Sequence, residues 1–483
     1  MKKREIGLLL GVFFSVACVL GGCESTKKVV LDPKDPVTID IWTYYNANAK
    51  ASFDELVQEF NDSVGAENGV IVKASSSGGV DELVKQVDME LLKEKSDRDL
   101  PEIVGCYMDT AYQIYQEDGL VDLNHYFTEK ELSEYVDAYL QEGYIGDDLV
   151  LFPVAKSTEI LALNETDWEE FSRECGVSED IFSTWEGIAD TAKKYYEWTD
   201  AKTETPNDGK AMFGQDSLAN YMNVGSSQLG QPIFTVNNNK VKITLDEVVM
   251  KKLWDNYYVP YISGYYGSYG RFRSDDMQMG NIISCVSSST SAAFLPSEVT
   301  LNDESTYPIN IKIMELPRFL DTENEAVQQG AGMVLTKSDE KHEYGASLFL
   351  KWFTEKEQNV RFSAASSYLP VKKDSNDYSY IEKQIDSNGI LCKDIVKQAL
   401  EVSVQQVNTY QLTHSHPFTN SSTARSILED SLFELEEKDR QQVVKLLDSG
   451  ISLDDAVAQI NTEEHYQEWL QELYSNLNKI AGV

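Results

Sequence analysis

The sequence predicts an α/β chain with more than one domain. Between Val37 and Cys106, strand-like and helix-like segments alternate, which is the pattern of a parallel sheet flanked by helices. The chain also has 483 residues, about three times the modal domain size. Hydrophobic residues make up 42% and aromatics 11%, enough for sizeable cores, so global disorder is excluded.

Taken in order, Val37 to Trp42 (VTIDIW) alternates and is β-branched, which predicts the first strand. Phe53, Leu56, Val57, Phe60 and Val64 then recur at helical spacing and predict a helix over 48–64. Gly69 to Ala74 reads as a second strand. A second helix over 80–94 turns Leu83, Val84, Val87 and Leu91 inward, and Ile103 to Cys106 is a third short strand. In such sheets ligands gather at the carboxyl ends of the strands. Beyond residue 165 the chain becomes more acidic and aromatic. Helices are expected over 167–200 and from Val248 to Ile262, followed by the Gly/Tyr stretch Gly264 to Gly270. Residues 281–295 and 309–316 read as strands, 340–353 as an amphipathic helix, and the last seventy residues as helical.

The N-terminus carries a different signal. Lys2, Lys3 and Arg4 precede a 15-residue apolar run, Ile6 to Leu20, which is short for a membrane span and reads as an export signal over 1–22. Leu20-Gly21-Gly22-Cys23 follows and resembles the bacterial lipobox, in which the Cys thiol takes a diacylglycerol lipid. Residues 23–36 are then the lipidated Cys23 and a polar tether with two prolines. Cys106, Cys175, Cys285 and Cys392 are widely spread with no CxxC pair. Two disulfides in three connectivities are open to them, and four buried thiols suit a core of this size better.

With 42 Lys and Arg against 80 Asp and Glu, the net charge of −38 excludes the basic face that nucleic-acid phosphates or anionic lipid would require. No phosphate loop, nucleophile elbow, HExxH or EF-hand motif is present. His414 and His416 form the one closely spaced His pair, without Cys or carboxylate at ligand spacing, so no metal site is expected.

An ordered set of motifs is more informative. Trp42-Thr43-Tyr44-Tyr45-Asn46, Leu100-Pro101-Glu102-Ile103, Asp118-Gly119-Leu120-Val121-Asp122-Leu123, Phe152 to Glu159 (FPVAKSTE), Gln329 to Met333 (QGAGM) and Tyr368-Leu369-Pro370-Val371 follow one another. In this order and spacing the chain resembles the extracellular solute-binding proteins of ABC importers, the family of maltose-binding and glycerol-phosphate-binding proteins. The resemblance spans roughly residues 37–470. It departs at Leu161-Ala162-Leu163-Asn164, where the family's aromatic-Tyr-Asn retains only Asn164.

The resemblance implies a two-lobe, type II periplasmic-binding-protein-like fold with a hinge crossed three times and a ligand cleft between the lobes. The crossings are expected near 153–157, 328–333 and 412–418. Lobe one is then 37–154 plus 331–413, and lobe two 157–329 plus 415–483. It also implies a monomeric receptor for a sugar or oligosaccharide, with no cofactor and no catalytic residue. Its partners would be the permease subunits and the membrane, through the lipid on Cys23, on a Gram-positive-type cell surface. A phosphorylated polyol is the alternative ligand, with Lys156, Arg271 and Arg273 as the cations to meet it. An exported carbohydrate-active enzyme or an adhesion or sensory lipoprotein is the alternative from another class.

Candidate ligand contacts lie at strand ends and crossings. They are Tyr44, Tyr45 and Asn46 after the first strand, Ser77 in the 75–79 turn, and Asp109 after the third strand as an acceptor for two hydroxyls. Lys156, Ser157 and Thr158 sit at the first crossing. Tyr221, Ser288 and Arg271 come from lobe two, Gly332 from the second crossing, Tyr368 from the turn before Leu-Pro, and Phe418 from the third crossing.

Overall fold

A computed structural model describes residues 29–237, 240–301, 303–414 and 417–481. The export signal expected over 1–22 and the lipidation expected at Cys23 fall on residues outside the described ones, as does His416. In chain order the elements that build the cleft begin with β1 (Val37–Thr43), α1 (Ala47–Phe60), β2 (Val70–Ser76), α2 (Val80–Leu91), β3 (Ile103–Cys106), α3 (Met108–Gln116) and β4 (Phe152–Pro153). There follow β5 (Glu159–Asn164), β6 (Phe213–Gln215), α4 (Leu218–Gln228), β7 (Ser284–Ser288) and β8 (Ile311–Met314). The last are β9 (Glu325–Val327), β10 (Gly332–Leu335), α5 (Asp394–Thr409), β11 (Gln411–Thr413) and α6 (Ser421–Asp448).

Two sheets of four or more strands result. The first runs β2-β1-β3-β10-β4, with β1 parallel to β2 and β3 as the alternation predicts, and β10 antiparallel to both β3 and β4. The second runs β8-β5-β7-β6; β5 is antiparallel to β7 and β8, and β6 is parallel to β7. The core falls into two clusters: one holds the first sheet and the Ile160, Ala162, Cys285 and Ile313 face of the second, the other the opposite face with Leu161, Leu163 and Val286. Phe53, Phe60, Phe349, Phe353 and Phe362 interlock beside the first sheet, and Trp168, Trp185, Trp254 and Tyr257 lie in the second core.

The sequence periods fixed several boundaries closely. β3 matches its predicted span, and the helix Glu340–Phe353 does too. α1 stops at Phe60 because a five-residue π turn, Asn61–Gly65, follows; the Asn61 side chain bonds both the N–H and the C=O of Val72 and so pins this turn to β2. The apolar run 281–295 is a strand only to Ser288 and then winds into a short 3₁₀ helix, Ser289–Phe294. All four described cysteines are free: Cys106 and Cys285 are buried, Cys392 is half-buried, and Cys175, expected inside, is exposed.

The chain passes between the sheets from β4 to β5 and from β9 to β10. Its third passage comes after the helix Tyr378–Asn388, because α5 already packs on β5 and β8. Buried residues of α5, among them Leu400 and Val404, belong to the cluster that also holds Ile160, Ala162, Cys285 and Ile313 of the second sheet.

Candidate functional site

At the carboxyl end of β1 the chain turns into α1 through Tyr44, Tyr45 and Asn46. Asn46 is the residue before the helix, and its amide donates to the Gly78 carbonyl at 3.3 Å. The Tyr44 and Tyr368 hydroxyls are 3.4 Å apart, and the Tyr44 and Tyr107 rings stack with centroids 6.3 Å apart. Burial, reinforced by the neighbouring tyrosines, raises the Tyr44 hydroxyl well above its ordinary pKa, so it is a neutral donor. Tyr45 is packed between the rings of Phe53 and Phe362. The 75–79 turn closes this corner: Ser76 donates to the Tyr45 carbonyl at 2.5 Å and Ser77 to Gln86 at 2.8 Å.

β3 delivers Tyr107, 38% exposed, and then Asp109 in the first turn of α3. Asp109 accepts a hydrogen bond from Ser421 on α6, across the gap between the sheets. Desolvation raises its pKa, partly offset by Ser421 and by the nearby Arg425. Gln116 reaches Thr419 at 3.4 Å from the same helix.

The hinge lies behind these groups. Ser157 and Gln329 exchange backbone hydrogen bonds at 2.9 and 2.8 Å, Lys156 and Leu369 form a second bridge, and β9 pairs with β11 in parallel. The Thr158 hydroxyl donates to the Val327 carbonyl at 2.8 Å. Lys156 is 1% exposed; its ammonium donates to Glu142 and, at 2.8 Å, to the Gly330 carbonyl. Gln328 donates to the same Glu142 carboxylate at 2.9 Å, so both members of this ion pair have a further hydrogen-bond partner.

The facing wall comes from lobe two. Glu429 of α6 accepts from the backbone N–H groups of Leu218 and Ala219 at 3.0 and 2.8 Å, a carboxylate at the start of α4 where the helix dipole favours it. One turn earlier, Arg425 donates to Asn220 at 2.7 Å and Ser217 at 3.0 Å. Asn220 in turn donates to the buried Glu159 at 2.7 Å. Burial pushes the Glu159 carboxyl up to about 7, against the pull of Asn220 and Arg425. Ser421, Arg425 and Glu429 are four apart and share one face of α6, which therefore touches lobe one and α4 at once.

Two cavities open between the lobes. One, of about 660 Å³, lies against Tyr44, Tyr45, Asn46 and Tyr368 on one side and Thr290 and Phe294 on the other. The second, of about 500 Å³, is bounded by Asp109, Asn220, Asn223, Glu325, Phe418 and Arg425. Tyr107 lines neither; its ring stacks on Tyr44 of the first and it precedes Asp109 of the second by two residues.

The structure thus brings Tyr44, Tyr45, Asn46, Asp109, Tyr368 and Phe418 to the cavities and leaves other candidates elsewhere. Lys156, Ser157 and Thr158 are buried in the hinge, the lysine fully engaged. Ser77 lines neither cavity and bonds Gln86. Tyr221 turns into the lobe-two core, where its hydroxyl donates to the Leu253 carbonyl at 3.0 Å and its ring meets Trp185. Gly332 is the first residue of β10, where a Cβ would lie 2.7 Å from the Phe152 carbonyl oxygen; its role is close strand packing. Ser288 bonds its neighbour Thr290 at 2.9 Å, and Thr290, not Ser288, lines a cavity. Arg271 is exposed on the Gly/Tyr loop with its guanidinium over the Phe272 ring, while Arg273 is buried against Asp276 at 3.1 Å. Asn220, Phe294 and Arg425 were missed. The i, i+4, i+8 spacing of Ser421, Arg425 and Glu429 was the available signal for the last. Among the described residues no group of three or more His, Cys, Asp or Glu side chains is placed to hold a metal, and no helix is long and apolar enough to cross a membrane.

Comparison with known proteins agrees with this architecture. The profile of the bacterial extracellular solute-binding protein family matches residues 55–391. Among solved structures the chain is similar to a cyclic α-maltosyl-1,6-maltose binding protein from Arthrobacter globiformis, with 20% identity, 92% of this chain and 100% of that one covered, and a TM-score of 0.64. It is similar to UgpB from Mycobacterium tuberculosis in complex with glycerophosphocholine at 17% identity, 91% and 98% coverage and TM-score 0.64. A third is the ABC substrate-binding protein Lmo0181 from Listeria monocytogenes in complex with cycloalternan, at 14% identity, 93% and 100% coverage and TM-score 0.61. At these identities the likeness establishes the fold, the two-lobe type II periplasmic-binding architecture. No curated protein sequence matches significantly.

Proposed function

The chain belongs to the bacterial extracellular solute-binding protein family, and from that premise we propose that it captures a sugar or oligosaccharide between its lobes and delivers it to an ABC permease. The observation that carries this reading is that the lobes enclose a cavity faced by the Tyr44 and Tyr368 rings together with Asn46, Asn48 and Ser367, and a second one faced by Asp109, Asn220 and Asn223. Rings bury the C–H faces of a pyranose, and amides and a carboxylate satisfy its hydroxyls once water is excluded. A micromolar receptor needs about 8 kcal/mol net, within reach of a few such contacts.

Ligand touching both walls favours the closed arrangement, because only there are all its contacts made. The permease then recognises the closed shape. In this reading lobe one is 37–154 plus 331–413 without α5, lobe two is 157–329 plus 415–483 together with α5, and a lipid on Cys23 holds the monomer on the outer face of the membrane.

A phosphorylated polyol is the second reading. Lys156 and Arg273, offered for it by the sequence, are already paired. Arg425 lines the second cavity, and among the described residues no carboxylate lies within 4.0 Å of it. Titration calorimetry separates the two: maltose, maltotriose, cellobiose and xylobiose against glycerol 3-phosphate and glycerophosphocholine. Heat with a sugar that Asp109→Asn weakens tenfold or more supports the first reading. Heat only with phosphates, lost in Arg425→Gln, replaces it with the second.

A further inference from the structure

The second cavity holds more negative than positive charge. Asp109, Glu325, His414 and Arg425 are the titratable side chains that line it, so with a neutral imidazole its wall carries two carboxylates against one guanidinium. Asp109 accepts a hydrogen bond from the Ser421 hydroxyl and Glu325 one from the Thr413 hydroxyl. Among the described residues no Lys or Arg nitrogen lies within 4.0 Å of either carboxylate. Arg425 spends two donors on the neutral oxygens of Asn220 and Ser217 instead. Glu325 is only 5% exposed. A carboxylate that leaves water for a single hydroxyl recovers part of its lost hydration, and a cation brought to it recovers more. The surroundings set the same sign. The Phe234 and Phe418 rings line this cavity with centroids 5.5 Å apart, and a ring face attracts a cation and repels an anion. The net charge of −38 also raises the concentration of cations around the molecule at the expense of anions.

Resting on the carbohydrate reading above, we infer that the ligand is an amino sugar in its protonated form, whose ammonium is received by the Asp109 and Glu325 carboxylates of the second cavity. A neutral sugar leaves the wall one negative charge in excess, a phosphorylated sugar adds to that excess, and an ammonium cancels it. Asn220, Asn223 and Ser227, which line the same cavity, remain for the hydroxyls. The two carboxylates come from different parts of the chain: Asp109 lies in the first turn of α3, directly after the first sheet's β3, and Glu325 is the first residue of β9, beside the hinge. An ammonium that meets both is bound best in the closed arrangement, so its charge favours the same movement that encloses the ring. Glu325 is accordingly a specificity-determining residue. An isosteric amide there keeps an acceptor for Thr413 and removes the charge that selects an amine over a hydroxyl.

The test is calorimetry on the purified protein at pH 7 with matched triplets: glucose, glucosamine and N-acetylglucosamine; galactose, galactosamine and N-acetylgalactosamine; cellobiose, the β-1,4-linked glucosamine disaccharide and its di-N-acetyl form. Maltose, maltotriose and xylobiose complete the panel. The acetylated members carry the same nitrogen without its charge. The expected result is an amine that binds at least tenfold tighter than both neutral members of its triplet. Glu325→Gln, and separately Asp109→Asn, should bring that ratio to within about threefold, with the unfolding temperature of each variant showing that it is folded. An amine that binds no better than its hydroxyl partner overturns the inference and leaves the carbohydrate reading standing. So does an amine gain that survives in both variants, since it then comes from the overall charge and not from this cavity. Heat from neutral sugars and none from any amine has the same meaning. Absence of binding across the whole panel removes both.

Discussion

The hinge and the cleft use charged side chains in opposite ways. In the hinge, Lys156 is 1% exposed and its ammonium is shared between Glu142 and the Gly330 carbonyl, with Gln328 completing the carboxylate. In the cleft, Arg425 spends two donors on the neutral oxygens of Asn220 and Ser217 and borders a cavity. A charge that is dry and fully paired is committed to architecture, and one that is half-paired beside a cavity is available to a ligand. The motif that looks most functional in sequence, Lys156-Ser157-Thr158, falls in the first class.

The largest effect should come from breaking the hinge pair. Lys156→Met leaves Glu142 buried without its partner and is expected to cost about 3–5 kcal/mol. Scanning calorimetry should show it as a fall in unfolding temperature, and the double variant with Glu142→Leu should recover most of the loss; a single variant as stable as the parent would end the contrast drawn above.

Next in size is the pH dependence of Glu159, buried where hinge and cleft meet. Its carboxyl titrates near 4.5 when unfolded and is pushed up to about 7 when folded, chiefly by desolvation. Below pH 4.5 both states hold the proton and stability is unaffected. Between pH 4.5 and 7 the unfolded chain loses it first, so stability falls with rising pH, by roughly 3 kcal/mol for a shift of this size. Glu159→Gln keeps an acceptor for Asn220 and should flatten that segment of the stability curve by the same amount, measured by denaturant unfolding from pH 4 to 8.

Gly330→Ala tests the hinge backbone. Gly330 has φ +92°, and an added Cβ would sit 2.8 Å from the Ala155 carbonyl oxygen. The left-handed conformation alone costs a side chain about 1–2 kcal/mol, so the unfolding midpoint should drop by at least that equivalent. The smallest effect belongs to Arg271→Ala: an exposed guanidinium outside both cavities should change stability by less than about 0.5 kcal/mol and leave ligand affinity as it was. A tenfold weakening of binding would bring the Gly/Tyr loop back into the site.

Much of the architecture was legible because it is written locally. The apolar spacing gave Ile103–Cys106 and Glu340–Phe353 their observed bounds. It overran at 61–64, where a π turn anchored by Asn61 to Val72 replaces the last helical turn, and no period encodes that cross-chain bond. For the site, strand ends pointed to Tyr44, Tyr45, Asn46 and Asp109, since a parallel sheet presents its carboxyl ends on one side. Tyr221 was misplaced because one face of α4 meets the cleft and the other the core. Adjacent residues 220 and 221 take opposite fates, and a single helix does not say which way it is turned.

By itself the sequence determined the class of chain: the α/β alternation, the acidic balance and the apolar faces all depend on composition or on neighbours a few residues apart. The tertiary structure decided which polar groups are spent and which are left for a ligand. Tyr44 meets Tyr368, Asp109 meets Ser421 and Lys156 meets Gly330, separations of 324, 312 and 174 residues. Those encounters exist only once the chain has crossed between its lobes. Whether a lysine is a ligand contact or a buried hinge pin is set by which carboxylate the fold brings beside it, and local spacing carries no record of that.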